Sequence, residues 1–174
     1  MPATYVNIAS TTLGSSQATV TFSSISTSYT DLAIRWSART DRSGWPYDNI
    51  TFRFNSVASN NNYGTIRIIG SNGSVASQID SNLSYITLVG ANAVTASANT
   101  FASGELYLPS YLSSRTKQIG MFSAVESNST FDYISLTSNT FVPTSAINRI
   151  DISTLFGTNF VSGSTFYLYG IKNS

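Results

Sequence analysis

Along most of this chain apolar and polar residues alternate with a period of two, the spacing that sets one series of side chains on one face of an extended strand. Ala18, Val20 and Phe22 line one face of a segment whose other face is threonine. Leu32, Ile34 and Trp36 do the same in DLAIRWS, with Arg35 turned the other way. Ile50, Phe52 and Phe54 alternate with Thr51 and Arg53. Ile66 and Ile68 flank Arg67, Ile86 and Leu88 flank Thr87, and Leu106 and Leu108 flank Tyr107. Further along come Ile119, Met121 and Val125, then Ile134 and Leu136, then Ile150 and Ile152 around Asp151. In the closing segment STFYLYGIK both faces are apolar, which predicts a strand that is central or covered on both sides.

Clusters of Gly, Asn, Ser and Asp separate these segments: Leu13-Gly14-Ser15, DRSGWPYDN, SNNNYG, GSNGS, ESNST and FGTNFVSGS. The nearest approach to helical spacing is ANAVTASANTF, about two turns long. There is no fixed-period repeat, no heptad and no Gly/Pro linker long enough to divide the chain. About ten short strands at this spacing predict an all-β fold, a single antiparallel β-sandwich, jelly-roll-like or a Greek-key relative, with residues 1–174 as one domain. The length agrees, since chains of roughly 100–200 residues usually form one core.

Composition narrows the chemistry. The 174 residues include no His and no Cys, so imidazole and thiolate nucleophile systems, thiolate or imidazole metal sites and disulfides are all excluded. Nine Lys or Arg against eight Asp or Glu give a formal charge of +1, no footprint for nucleic acid or an anionic membrane. No apolar run approaches the ~18–20 residues that span a bilayer, and the opening MPATYVNIASTTLGSS lacks the plan of a secretory signal. A soluble protein made without a classical export tag is expected. Arg35, Arg39 and Arg42 come nearest to a cationic cluster, and Asp31, Asp41 and Asp48 are read as answering them on a solvated face.

Some chemistry survives this filter. Glycoside hydrolysis needs only two carboxyls about 5–9.5 Å apart, so Asp31 with Asp48, or Glu105 with Glu126, are the pairs to examine. Ser114-Arg115-Thr116-Lys117 spells S-x-x-K, yet without the S-D-N and K-T-G partners that the Ser/Lys nucleophile requires. The loop from Asp41 to Asn49 offers oxygen side chains to Ca²⁺ but lacks the D-x-[DN]-x-[DN]-G order and carries Arg42; it reads as a turn. Four N-x-S/T sequons, at Asn49, Asn72, Asn82 and Asn128, are what this Ser/Thr content yields by chance. No catalytic residue, cofactor or metal ligand is assigned. Trp36 follows the alternation of Leu32 and Ile34 and is expected in the core. Trp45, Tyr47, Tyr63, Tyr111 and Tyr133 lie in or beside turns, where they either close the ends of the sandwich or stack on a sugar or a partner protein.

The run SSQATVTFSSISTSYTDLAIRWSARTDRSG, followed by ITFRFNS, a Tyr-Gly turn and TIRIIG, resembles small virion structural proteins of tailed bacteriophages, those of cyanophages especially. The ending GSTFYLYGIKNS is similar to the same group's closing strand, and the likeness spans roughly residues 5–70 and 160–174. The resemblance implies a non-enzymatic β-sandwich on the outer surface of the virion head: a decoration, cement or knob-like protein binding the major capsid protein and self-associating. A place in the tail or fibre, recognising a host surface glycan, is the alternative it implies. It brings no active-site residues with it.

Overall fold

The computed structural model describes residues 4–126 and 132–173, and among them every regular element is a strand. In chain order these are β1 (Tyr5–Thr12), β2 (Thr19–Phe22), β3 (Asp31–Ala38), β4 (Tyr47–Phe54), β5 (Tyr63–Ser71) and β6 (Ser74–Leu83). Then come β7 (Ile86–Asn92), β8 (Ala102–Leu108), β9 (Lys117–Glu126), β10 (Asp132–Phe141), β11 (Ile150–Thr154) and β12 (Thr165–Ile171). They form an eight-stranded sheet, β1-β12-β3-β8-β9-β10-β5-β6, and a four-stranded sheet, β2-β11-β4-β7, antiparallel throughout.

The two orders share one plan. The consecutive strands β1 and β2, β3 and β4, β7 and β8, and β11 and β12 each place one member in either sheet. Their neighbour relations repeat, β1-β12-β3-β8 above β2-β11-β4-β7, which is the doubled Greek key of a jelly roll. The hairpins β5–β6 and β9–β10 are additions that extend the larger sheet beyond β8. β12 lies between β1 and β3, as its apolar sequence predicted, although Tyr167 on its outer face stays 37% exposed.

The core fills the gap between the jelly-roll sheets. Ile34 and Trp36 of β3, Leu106 of β8 and Phe166 of β12 are buried against Phe52 of β4, Leu88 of β7 and Ile152 of β11. Trp36 lies at the centre of this packing, 3% exposed, its ring centroid 5.5 Å from that of Phe52. Its Nε1–H donates to the Gly90 carbonyl at 2.8 Å, so the one polar atom of the indole is satisfied inside the core. Gly104 makes room for it, because a Cβ there would stand 2.1 Å from the indole.

Beyond β8, β9 still turns Ile119, Met121 and Val125 inward, but on β5 and β10 the relation of the faces reverses. On β5, Ile66 and Ile68 are 54% and 49% exposed, and Arg67 between them is buried. On β10, Ile134 and Leu136 are 52% and 55% exposed while Ser135, Thr137 and Asn139 face inward. Part of this inward polar series bonds to itself: Thr65 Oγ1 donates to Asn139 Oδ1 at 2.8 Å and Asn139 Nδ2 donates to Thr137 Oγ1 at 2.8 Å, whereas Ser135 Oγ and Arg67 Nε are buried without a partner among the described residues. Arg67 pairs with Asp80 across the β5–β6 hairpin. Of the smaller sheet, β7 reaches over these added strands, and the two ends of β4 touch them through Phe54 on Tyr63 and Phe141 and through Tyr47 on Tyr133. An inner surface with so little apolar cover is stable when its polar groups bond to each other.

The segment ANAVTASANTF ends β7 with its first two residues and then runs as a loop rather than a helix, and the reason is Arg39. Its guanidinium donates to the carbonyls of Val94, Ala96, Ser97 and Thr100 at 2.7–3.2 Å, wrapping the loop around one cation. Carbonyls turned inward to a shared donor are withdrawn from the i to i−4 pattern of a helix.

Candidate functional site

The loop joining β3 to β4 is fixed from outside by its two aspartates. Asp48 Oδ2 accepts from the Gly157 amide at 2.9 Å and Thr40 Oγ1 at 2.9 Å, and its Oδ1 from the amides of Asn49 at 2.7 Å and Phe156 at 3.2 Å. Asp41 Oδ1 accepts from the amides of Thr158 and Asn159 at 2.7 and 2.8 Å. Four consecutive amides, from Phe156 to Asn159, thus converge on two carboxylates. Gly157 is required between them, since a Cβ there would lie 2.9 Å from both an Asp41 and an Asp48 oxygen. Burial lifts the Asp48 carboxyl above its usual range in spite of its donors. At Asp41 burial pushes the same way, but the Asn159 and Thr158 donors outweigh it and leave the carboxyl below that range. These oxygens face N–H donors, so the loop is the turn its sequence implied and not a cation cradle.

What this clamp presents is an aromatic cluster around Arg42. The guanidinium carbon lies 4.3 Å from the Phe156 ring centroid, 5.3 Å from that of Tyr47 and 5.7 Å from that of Trp45. Arg42 Nη1 also donates to the Tyr47 carbonyl at 2.9 Å. Trp45 and Tyr47 meet edge to face at 5.8 Å, and Tyr47 leans on Tyr133 of β10 at 4.2 Å. Burial, with the Tyr133 hydroxyl beside it, pushes the Tyr47 phenol up to about 12. Trp45 is 46% exposed and Phe156 60%, and Val94, 53% exposed, is tied to the same loop through its amide to the Arg42 carbonyl. Trp, Tyr and Arg in one rigid, partly open patch are the residue types that carry most binding energy in protein interfaces.

Of the five aromatic residues read from sequence as lying in or beside turns, the structure brings Trp45, Tyr47 and Tyr133 together and buries Tyr63 and Tyr111. Tyr63, 2% exposed, packs on Phe54 and Phe141; its hydroxyl accepts from the Phe54 amide at 3.0 Å and donates to the Val57 carbonyl at 2.9 Å. Tyr111 is fully buried, with its hydroxyl donating to the Ser26 carbonyl. Both rings turn inward because a core position and a buried backbone partner are available to ring and hydroxyl together. Tyr133 is half-buried behind Tyr47. Phe156 and Val94 were not anticipated: they join Arg42 only through tertiary contacts from distant loops, and no local sequence signal marks them.

The remaining candidates are held by structural contacts. Asp31 accepts from Tyr107 Oη at 2.7 Å, the Ser110 amide at 2.8 Å and Asn173 Nδ2 at 2.6 Å. Burial opposes its charge, but those three donors keep the carboxyl below its ordinary range. Asp31 and Asp48 stand in different sheets with separate partners. Glu105 pairs with Arg35 at 2.7 Å; the Glu126 side chain and Asn128 lie outside the described residues. The expected pairing of Arg35, Arg39 and Arg42 with Asp31, Asp41 and Asp48 is therefore corrected: these arginines bond to Glu105, to carbonyls and to aromatic rings, and the aspartates take other donors. Lys117 of the S-x-x-K sequence donates to the carbonyls of Ser113, Arg115, Thr144 and Ser145 at 2.7–3.2 Å, clasping two loops. Among the described residues no group of three or more acidic side chains is placed to hold a metal ion. No helix there is long and apolar enough to cross a membrane.

No family model and no curated protein matches the chain. Among solved structures, the chain is similar to an exo-inulinase from Aspergillus awamori at 10% identity and a TM-score of 0.49, over 96% of this chain and 29% of that one. A structure titled for the dependence of botulinum neurotoxin type C cell entry on two ganglioside molecules aligns at 11% identity and a TM-score of 0.22, over 95% of this chain and 44% of that one.

Proposed function

We propose that this protein is a non-enzymatic bacteriophage virion structural protein, a decoration or cement protein on the capsid exterior that binds the major capsid protein and associates with copies of itself. The observation that carries the reading is the clamped cluster of Trp45, Tyr47, Phe156 and Arg42, rigid on its inner side and open on its outer side. Such a patch gains binding energy by burying aromatic area without ordering a loop at the moment of contact. The resemblance of residues 5–70 and 160–174 to phage virion proteins supports the choice of partner.

The experiment is gold-labelled antibody against the protein on intact virions, joined to co-sedimentation of the purified chain with heads that lack it. Label over the head is expected, and Trp45→Ala should weaken co-sedimentation roughly 30-fold, the loss typical of an aromatic anchor. Label confined to the tail tip, or none on intact particles, overturns the reading.

A second reading, a tail or fibre module recognising host surface glycan, is favoured by one feature of the same cluster. The Trp45 ring is nearly half open beside a guanidinium, an arrangement suited to stacking on a sugar. Binding on a glycan array that Trp45→Ala abolishes, together with tail label, would establish it in place of the capsid.

A further inference from the structure

The four strands β9, β10, β5 and β6 carry an apolar outer face that nothing in the jelly roll explains. The register aligns it in rows. Phe122 of β9 stands opposite Leu136 of β10, which stands opposite Ile68 of β5. One step along, Ile66 of β5 faces Ile79 of β6; on the other side, Ile134 of β10 faces Gly70, and Gly70 faces Val75. Directly opposed residues share a sheet face, so these side chains form one band. Val75 and Ile79 are 79% and 75% exposed, and the other members are 44–55% exposed.

With extended-chain area taken in proportion to residue mass, the band exposes roughly 700 Å². That exceeds the ~300–600 Å² of the largest patch on a typical monomer and approaches the ~800 Å² each partner contributes to a standard interface. No member of the band is charged, and the adjoining outward pair, Arg35 with Glu105 at 2.7 Å, neutralises itself. Asp132, exposed two residues before Ile134 on the same face of β10, sets a charge at one end of the band, while a second copy meets no like charge over the band itself. A twisted sheet also fits a copy of itself, because two sheets of the same hand pack aligned at about −30° and ~10 Å apart. Gly120, with open space where a Cβ would stand, leaves a shallow hollow of about 180 Å³ between Tyr107, Phe122 and Leu136 that can receive a side chain from the facing copy.

We propose that the outer face of β9, β10, β5 and β6 is the interface of a face-to-face homodimer related by a two-fold axis. This rests on the self-association in the reading above and is independent of the capsid partner.

Sedimentation equilibrium of the full chain tests it, with Leu136→Lys and Ile79→Lys compared to wild type and circular dichroism confirming that each variant is folded. Both sites are solvent-exposed in the monomer, and Ile79, at the edge, is the safer for folding. Wild type should be dimeric at roughly 10 μM chain, within the micromolar-or-tighter range of interfaces this size. Each lysine, buried unpaired in the dimer, should raise the dissociation constant at least ~100-fold. A wild-type monomer at roughly 100 μM, or a dimer that withstands both lysines, overturns the proposal. Trp45→Ala should leave the dimer intact, so a Trp45→Ala chain that dimerises and still binds particles as wild type does would count against the capsid cluster alone.

Discussion

The two tryptophans make the most discriminating pair of substitutions in this protein. Trp36→Ala removes a side chain that is 3% exposed and fills the space above Gly104. Truncating a buried aromatic to alanine costs about 3–5 kcal/mol in transfer and cavity terms. The Gly90 carbonyl also loses its indole donor, adding about 1 kcal/mol or more where water does not reach it. A total of about 4–6 kcal/mol is a large part of the ~5–15 kcal/mol that holds a typical domain together. For a chain of this size it corresponds to a fall of roughly 10–20 °C in melting temperature. Trp45→Ala loses an edge-to-face contact with Tyr47 and a partly solvated cation–π contact with Arg42, together about 1 kcal/mol. Calorimetric melts of both variants, with acrylamide quenching of the remaining tryptophan, provide the comparison. Trp45 alone should emit to the red and quench readily, and Trp36 alone should emit to the blue and quench poorly. Equal losses of stability, or equal quenching, would refute the assignment of Trp36 to the core and Trp45 to the surface.

Three other outcomes follow from the same packing. Gly104→Ala should destabilise by at least about 1–3 kcal/mol in urea unfolding, because its Cβ has an indole atom at 2.1 Å and the Phe122 carbonyl at 2.8 Å to displace. Lys117→Met should lower stability by about 2–4 kcal/mol, as four loop carbonyls lose one buried donor, and proteolysis should then begin near residues 113–116 or 143–146. The pH dependence has two opposed parts. Asp31, Asp41 and Asp151 are held below 3.8, burial being outweighed at each by the donors around it. Their stabilisation is therefore complete above pH 3.8 and is lost as the pH falls through the lower folded values. Burial raises Asp48 above 3.8, so its contribution is greatest when protonated and declines as the pH rises from 3.8 through the folded value. Melting temperature should thus drop steeply below pH 3.8, and Asp48→Asn should flatten the shallower decline just above it.

Strand content and the jelly-roll class were legible because alternation is a local property, readable from a few neighbouring residues. The strands that alternation did not reveal are β1 and β6, the two edges of the larger sheet. An edge strand has a neighbour on one side and, in β6, little burial on either face, so YVNIASTT and SVASQIDSNL carry weak apolar patterns. Turn position likewise signalled that Trp45 and Tyr47 belong to a loop, but it signalled the same for Tyr63 and Tyr111, whose rings the core absorbs.

Alternation determined that the outward and inward series of each strand differ in polarity; it carried no sign. In β3, β4, β8 and β12 the apolar series faces the opposing sheet. In β5 and β10 the same kind of series faces solvent, because the four-stranded sheet ends at β7 and Thr65, Thr137 and Asn139 of the polar series bond to one another across the two strands. Which face lies inside depends on what stands across from it, and that is set by strands far away in the chain. The Arg42 cluster has the same origin: its arginine and Trp45 come from the β3–β4 loop and Tyr47 from the start of β4, while Phe156 arrives only because its own amide and the three after it are bound by Asp41 and Asp48.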